Sequence, residues 1–146
     1  KSPPMVSGTY TFEKIDGFTM VWVEVGAYEN AHSKKRAWNW FKFIWKAREL
    51  PLLIDESPDV VLASSPQPFT FLAAKYLSKK TGAKLVFEVR DLWPELPKAM
   101  GVITNPILLK LMDILETISY KPATSCVALS PGILKGIKKS TSSSDV

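Results

Sequence analysis

Residues 58–89 read PDVVLASSPQPFTFLAAKYLSKKTGAKLVFEV, and this segment decides the fold. Its first part, Asp59 to Ser65, is a continuous apolar run, which is typical of a strand buried on both faces. The middle part has Pro near its start and Gly82 at its end, as helices commonly do. The last part, KLVFEV, is a second apolar run. The segment therefore predicts two parallel strands joined by a right-handed helical crossover.

The same alternation continues downstream. The segment NPILLKLMDILETISYKPA repeats large apolar residues at helical spacing, namely Ile107, Leu108, Leu111, Ile114, Leu115 and Ile118. SCVALS, residues 125–130, predicts a third buried strand, and PGILKGIKKS predicts the start of a short helix. Residues 59–146 are therefore expected to form a βαβαβα core with a parallel sheet covered by helices.

A β-hairpin is predicted before this core. YTFEKIDGFTMVWVEVG, from Tyr10 to Gly26, contains two strand-like runs, and Asp16-Gly17 supplies the positive φ of a tight turn. We assign residues 1–32 to the hairpin and a loop, and residues 33–56 to a basic aromatic helix. Ser33 is the expected N-cap of this helix, and Pro51 interrupts it. The whole of 1–146 is interpreted as one partial domain.

Composition limits the kinds of site. The chain has 146 residues, a formal net charge of +5 and a pI near 9.3, which favours a phosphate ligand, an acidic membrane surface or nucleic acid. A solvated basic surface without such a partner is the alternative. Only one cysteine, Cys126, and one histidine, His32, are present, so no Cys/His metal site is expected. The sequence contains no Gly-rich phosphate-binding fingerprint, which argues against an NAD enzyme or an NTPase.

Polar residues follow all three predicted strands of the core. Ligands of open parallel α/β sheets sit at the carboxyl ends of the strands, so these exits are the candidate binding site. Ser65 and Ser130 also precede predicted helices, where hydroxyls cap free N–H groups. The candidate site residues are Ser64, Ser65, Pro66, Glu88, Arg90, Asp91, Trp93, Glu95 and Ser130.

Each side chain has a chemical and a structural interpretation. Arg90 has the forked geometry that suits a phosphate or carboxylate, and Asp91 and Glu95 can accept hydrogen bonds from sugar hydroxyls. Trp93 can stack on a sugar face or close the core. Equally, Ser-Pro can mark only a helix start, Arg90 and Asp91 can form a structural ion pair, and Trp93-Pro94 can serve packing alone.

The motifs ASSPQPFT, FEVRDLWPE and ALSPG, with IDGF in the hairpin, occur in an order that resembles one enzyme family. The chain is similar to the N-terminal, acceptor-side domain of family 4 glycosyltransferases of the GT-B fold, and is closest to the WbuB-like enzymes. The resemblance implies a Rossmann-like sheet and the retaining transfer of a sugar from a nucleotide donor to a lipid-linked acceptor. The implied process is bacterial surface-polysaccharide (lipopolysaccharide) biosynthesis at the inner face of the cytoplasmic membrane.

The resemblance also suggests residue roles. Many family members have His-Asp after the second of these strands, and Arg90 and Asp91 take that place here as catalytic residues. Because Arg90 cannot act as a base near neutral pH, its expected role is electrostatic or positional. Ser64, Ser65 and Ser130 are expected to line the same cleft.

Parts of the family pattern are not found in the sequence. The family's first βα unit, with its Gly-rich turn, and its C-terminal nucleotide-sugar domain have no counterpart, so the chain is expected to be a fragment that is inactive alone. The fragment itself is expected to bind no cofactor, since the nucleotide-sugar donor is a substrate of the parent enzyme. The expected partners are the missing nucleotide-sugar domain and a lipid-linked acceptor.

The segment SKKRAWNWFKFIWKAREL combines basic and aromatic residues. On a helix its aromatic residues cover a broad arc opposite several lysines, as in helices that lie at a membrane interface. A helix that packs on a sheet with a solvated basic face is the alternative, and no nucleic-acid-binding motif is present. The residues expected to contact an anionic membrane are Lys34, Lys35, Arg36, Trp38, Lys42, Trp45 and Lys46.

The sequence is also compatible with a function other than catalysis. The chain could be a stand-alone, non-catalytic α/β module that docks on a membrane or on a protein through the basic helix. A nucleotide-sugar domain encoded downstream would favour the transferase, and a start codon just before Lys1 would favour the module.

Overall fold

The structure is a computed structural model that describes residues 8–27, 34–54, 57–65, 69–99, 101 and 103–141. Within these ranges the side chains of residues 34, 36, 37, 96 and 97 are not described. The chain divides into two compact units, Lys1–Leu50 and Pro51–Val146.

The first unit contains the predicted hairpin and the basic helix. Strands β1 (Tyr10–Ile15) and β2 (Phe18–Val23) pair antiparallel, with Phe12 opposite Val21. Asp16 and Gly17 adopt φ values of 44° and 93°, as the tight turn between the strands requires. This confirms the predicted hairpin.

Helix α1 (Lys34–Ala47) ends earlier than the sequence suggested. The amide of Glu49 bonds the carbonyl of Lys46 at 2.9 Å, which tightens the last turn. A short helix, α2 (Leu50–Leu53), follows, and Pro51 is tolerated in its first turn because no intrahelical donor is needed there. The predicted cap, Ser33, lies outside the described residues.

The second unit has an α/β sheet. Its elements in chain order are β3 (Val60–Ser64), α3 (Thr70–Thr81), β4 (Lys84–Val89), α4 (Glu95–Ala99), α5 (Pro106–Tyr120), β5 (Ser125–Ala128) and α6 (Pro131–Ser140). The three strands are parallel in the order β3-β4-β5. The predicted α/β class and the three-stranded parallel sheet are therefore confirmed.

Local sequence explains where these helices begin and end. Gly82 adopts a φ of 77° after α3 and donates its N–H to the Ser78 carbonyl at 2.8 Å. The side chain of Asn105 accepts from the amides of Ile107 and Leu108 at the start of α5. Helix α4 was not expected from the sequence.

One face of the sheet carries the core of the second unit. Ala63 of β3, together with Leu85, Phe87 and Val89 of β4, is buried on this face. Helices α3, α5 and α6 supply Phe71, Ala74, Tyr120 and Ile137 to the same cluster. The ring of Phe87 lies between those of Phe71 and Tyr120, at centroid distances of 6.3 and 6.1 Å. Cys126 packs against the cluster as a half-buried residue, and burial raises the pKa of its thiol.

The expectation that the strands are buried on both faces is wrong. Val60 and Leu62 point to the other face and are 50% and 64% exposed, and Val127 of β5 is exposed there too. The reason is that α3, α5 and α6 all pack on the core face. The apolar run of β3 therefore has one buried face and one exposed face in the part of the unit that the structure describes.

Helix α5 is also turned differently from what its pattern suggests. Its aliphatic stripe is largely exposed, with Ile107 at 72% and Leu111 at 58%, whereas its buried residues are Glu116, Ser119 and Tyr120. The helix itself was predicted correctly, but Glu116, Ser119 and Tyr120 face the core, and Leu115 is the member of the aliphatic stripe that packs against it.

Candidate functional site

The exits of β3 and β4 are tied together by two serines. The amide of Ser65 donates to the Glu88 carbonyl at 3.0 Å, and the hydroxyl of Ser65 accepts from the amide of Arg90 at 2.8 Å. The hydroxyl of Ser64 donates to the carboxylate of Glu88. Ser64, Ser65, Glu88 and the backbone of Arg90 therefore lie together at the carboxyl edge of the sheet, as the sequence predicted.

The interpretation of Ser65 as a helix cap is wrong. Helix α3 begins only at Thr70, with Phe69 in the N-cap position. Ser65 is buried, with 2% of its surface exposed. Its hydroxyl accepts from the Arg90 amide at the end of β4 instead of from an amide of α3. Pro66, which the sequence placed in the site, lies outside the described residues.

Arg90 presents its side chain to solvent at the exit of β4. Among the residues that the structure describes, no carboxylate forms an ion pair with its guanidinium, so the alternative interpretation as an ion pair with Asp91 is not observed. The backbone of Arg90 is nevertheless fixed through Ser65. This combination of an anchored backbone and an exposed fork of N–H donors suits the binding of an anion.

Asp91 and Trp93 border a small cavity of about 10 Å³, which is also lined by Ser65, Glu116 and Tyr120. The indole Nε1 of Trp93 is buried and has no hydrogen-bond partner among the described residues. A cavity of this size holds about one water molecule at most. A ligand larger than a water molecule would therefore have to bind on the open side of this edge, beside Arg90, and not in the cavity.

Glu116 is a site residue that sequence reasoning missed. It is 6% exposed, and its Oε1 accepts from the Trp93 amide at 2.8 Å and from the Tyr120 hydroxyl at 2.8 Å. Burial raises the pKa of this carboxyl, and nearby Glu95 and Asp113 add to the rise, while the two hydrogen bonds act in the opposite direction. The available signal was the Glu-x-x-x-Tyr pair, Glu116 and Tyr120, which places a hydroxyl one helical turn from the carboxylate.

Glu116 and α6 hold the loop after β4 from two sides. Glu116 of α5 binds the amide of Trp93. At α6, a Cβ on Gly136 would overlap the side chain of Leu92, so the absence of a side chain there lets the loop approach. The loop that carries Arg90 and Asp91 is thus attached to the core at Ser65, Leu92 and Trp93.

Glu95 is separated from the rest of the predicted group. It begins α4 and lines a larger cavity of about 560 Å³ between α4, α5 and the end of α6. Lys98, Lys110 and Lys139 also line this cavity, as do Asp113 and Glu116. Lys110 pairs with Asp113 at 3.5 Å on the surface. Because both acidic and basic side chains line this cavity, its charge favours neither an anionic nor a cationic ligand.

Ser130 acts as the predicted helix cap. Its hydroxyl accepts from the Ile133 amide at 3.2 Å at the start of α6. Because β5 is parallel to β4 and adjacent to it, Ser130 lies at the same edge of the sheet as Arg90. Within the described ranges, no hydrogen bond joins Ser130 to the exits of β3 and β4.

The predicted membrane-contact residues belong to α1 in the first unit. Trp38 and Trp45 are 63% and 68% exposed, and Lys35 and Lys42 are exposed as well. Lys46 instead binds the carbonyl of Glu24. Lys34 and Arg36 are part of α1, but their side chains lie outside the described part.

Comparison of the chain with protein-family models, with curated proteins and with solved structures gives no match. A function is therefore inferred from the geometry of the strand exits and from the resemblance of the motifs.

Proposed function

We propose that the chain forms the acceptor-side part of a retaining GT-B glycosyltransferase of the family 4 type. The single observation that carries this proposal is Arg90, whose guanidinium is exposed at the carboxyl edge of a parallel sheet while its amide is held by Ser65. Sugar-nucleotide chemistry requires a fixed positive charge near a phosphate, and a strand exit is where α/β sheets bind such ligands.

The reaction assigns complementary roles to the neighbouring residues. The bond between the anomeric carbon and the nucleotide phosphate breaks, the acceptor hydroxyl forms the new glycosidic bond, and its proton passes to the leaving phosphate. The Arg90 guanidinium donates hydrogen bonds to the phosphate and stabilises the charge that grows on it. The carboxylates of Glu88 and Asp91 accept hydrogen bonds from sugar hydroxyls and orient the ring.

The remaining features of the proposal come from the motif resemblance. The three-stranded sheet corresponds to a Rossmann-like sheet without its first βα unit. A nucleotide-sugar-binding domain elsewhere in the parent enzyme completes the active site, and the acceptor is carried on a lipid at the cytoplasmic face of the membrane. The exposed outer face of β3, and its edge without a strand neighbour among the described residues, support this correspondence, because the family's first helix would cover that face and its first strand would pair at that edge.

Donor screening tests this proposal. The protein that contains this chain together with the implied nucleotide-sugar domain is incubated with radiolabelled UDP-, GDP- and dTDP-sugars and a polyprenyl-diphosphate sugar acceptor. We expect label to enter the lipid fraction from one donor class, with the anomeric configuration of the donor retained in the product. No transfer above a heat-inactivated control would overturn the proposed reaction, and an inverted product would overturn the retaining mechanism.

A further inference from the structure

Helix α1 is attached to the hairpin by its polar side. The amide side chain of Asn39, which is 7% exposed, donates to the Gly26 carbonyl at 2.8 Å. About two turns along, Lys46 donates to the Glu24 carbonyl, and the Tyr10 hydroxyl donates to the Lys46 carbonyl at 2.8 Å. The side of α1 that carries Asn39, Lys46 and buried Ala47 therefore faces the hairpin.

The opposite side of α1 carries an exposed aromatic stripe, which we define as Trp38, Phe41 and Trp45. These residues recur at i, i+3 and i+7, so they lie on one face. Their exposed fractions are 63%, 50% and 68%. This orientation is the reverse of an ordinary amphipathic helix, whose aromatic side packs inward and whose polar side meets water.

Basic residues border the aromatic stripe on both sides. At about 100° per residue, Lys35 and Lys42 lie on one side of the stripe, and Arg48 follows on the other side just beyond the helix. The Arg48 guanidinium stacks on the Trp45 ring at 5.1 Å from its centroid. Of the basic residues of α1, Lys35 and Lys42 have exposed side chains beside the stripe, and residues 34–47 contain no Asp or Glu. The surface therefore complements a partner that is apolar inside and anionic outside.

We infer that this face of α1 docks on an anionic lipid bilayer, with the aromatic stripe in the interface and Lys35 and Lys42 at the headgroups. Trp and Phe favour the boundary between acyl chains and headgroups, and nearby Lys and Arg side chains are attracted to an anionic lipid surface. A helix of 14 residues spans only about 21 Å, and the structure describes no helix that is long and apolar enough to cross a membrane. The helix thus lies along the surface. This inference does not depend on sugar transfer.

Vesicle co-sedimentation of the full chain tests the inference. We expect binding to vesicles of phosphatidylcholine with roughly one-third phosphatidylglycerol, with at least about tenfold weaker partitioning to pure phosphatidylcholine. Vesicles with brominated acyl chains should quench tryptophan fluorescence. Binding to both vesicle types with equal strength, or to neither, would overturn the inference.

Two variants separate the apolar from the ionic contribution. Trp38→Ala/Trp45→Ala should weaken binding about tenfold or more and reduce quenching by brominated lipid. Lys35→Glu/Lys42→Glu should weaken binding to anionic vesicles to a similar extent, and this difference should shrink in high salt. Because all four side chains are exposed, both variants should keep the wild-type circular dichroism spectrum.

Matched controls on other helices make the test specific. Ile107→Ala/Leu111→Ala removes exposed apolar surface from α5, and Lys79→Glu/Lys80→Glu reverses the same number of charges on α3. Neither control should change vesicle binding by more than about twofold. Equal losses in a control and in its α1 counterpart would contradict a specific lipid face. Tighter binding to single-stranded RNA than to anionic vesicles at the same salt would assign the surface to nucleic acid instead.

Discussion

Ser65 is a buried polar residue whose function is structural but whose position serves the candidate site. Its amide and its hydroxyl are both used, one toward the Glu88 carbonyl and the other toward the Arg90 amide. The sequence placed Ser65 at the correct edge but assigned it to the following helix. The helix begins five residues later, at Thr70, and the pattern Ser-Ser-Pro alone does not distinguish a cap from a strand-to-strand contact.

Ser65→Ala should destabilise the chain by about 1–3 kcal/mol, because the Arg90 amide loses its acceptor in a buried setting. The measurement is urea unfolding followed by circular dichroism. Ser125→Ala is the matched control: Ser125 is exposed in β5, and its loss should change the free energy of unfolding by less than about 0.5 kcal/mol. Equal effects of the two substitutions would show that the Ser65 hydroxyl does not anchor Arg90.

Among the buried residues of the second unit, Glu116 was the least expected from sequence patterns. A carboxylate in an aliphatic helix is normally assigned to the solvated face. Here it satisfies the amide of Trp93 and the hydroxyl of Tyr120, and its own pKa is raised by burial. Helical periodicity alone does not reveal such a residue, since one of the two partners that make its burial acceptable, the Trp93 amide, lies 23 positions away in the chain.

The pH dependence of stability should identify Glu116. A carboxyl whose folded pKa lies above its ordinary value near 4.5 stabilises the fold most below that pH, and this contribution is lost as the pH rises through the folded pKa. Glu116→Gln keeps the acceptor oxygen without the charge. Its stability relative to wild type should therefore increase from about pH 4.5 toward neutral pH.

Chemical unfolding of both proteins at several pH values measures this difference, with Glu116→Ala as the comparison that removes the acceptor. The Ala variant should be less stable than the Gln variant by about 1–3 kcal/mol throughout, because the Trp93 amide is left unsatisfied. A Gln-minus-wild-type difference that stays constant from pH 4 to 8 would contradict the assigned burial of the charge.

At the scale of elements, β3 is a strand and α5 is a helix, as predicted. Which of their side chains are buried and which are exposed differs from the prediction. Continuous apolar runs predicted the strands, and a 3.6-residue period predicted the helix. Which face is covered depends on neighbouring elements, and α3, α5 and α6 all cover the same face of the sheet. In the described part of the chain, β3 has β4 as its one strand neighbour, so its other edge is unpaired.

The open edge of β3 and its exposed face predict self-association of the chain. Unpaired strand edges recruit other strands, and contiguous apolar patches promote contacts between copies. Leu62→Lys places a charge on this face at a position that is 64% exposed, so it should reduce association without unfolding the chain.

Sedimentation velocity over a range of concentrations provides the measurement. Leu72→Lys, which adds the same charge to a 38% exposed position of α3, is the control and should leave association unchanged. A wild-type chain that remains monomeric throughout, or one whose association is equally reduced by both substitutions, would contradict a role for the β3 surface.

At the scale of the whole molecule, the order of elements was largely predictable and the site was predictable in part. Short-range signals, such as Asp16-Gly17 and Asn105-Pro106, fixed the turn and the helix start correctly. The site depends on which strand exits meet. Parallel pairing brings Ser65 to Arg90, whereas the local folding of α4 carries Glu95 into the wall of another cavity. The sequence contains no short-range signal for that separation.

The measurement that tests the proposed function most directly is sugar transfer by the parent enzyme carrying Arg90→Ala. The substitution keeps the amide that binds Ser65, and the guanidinium forms no ion pair among the described residues, so stability should change by less than about 0.5 kcal/mol. We expect kcat to fall roughly 100-fold, because a fixed charge at the leaving phosphate is lost. Lys138→Ala, an exposed position on α6, should leave kcat unchanged. Unchanged transfer by Arg90→Ala, or a loss of activity matched by an equal loss of thermal stability, would contradict the assignment of Arg90 to the active site.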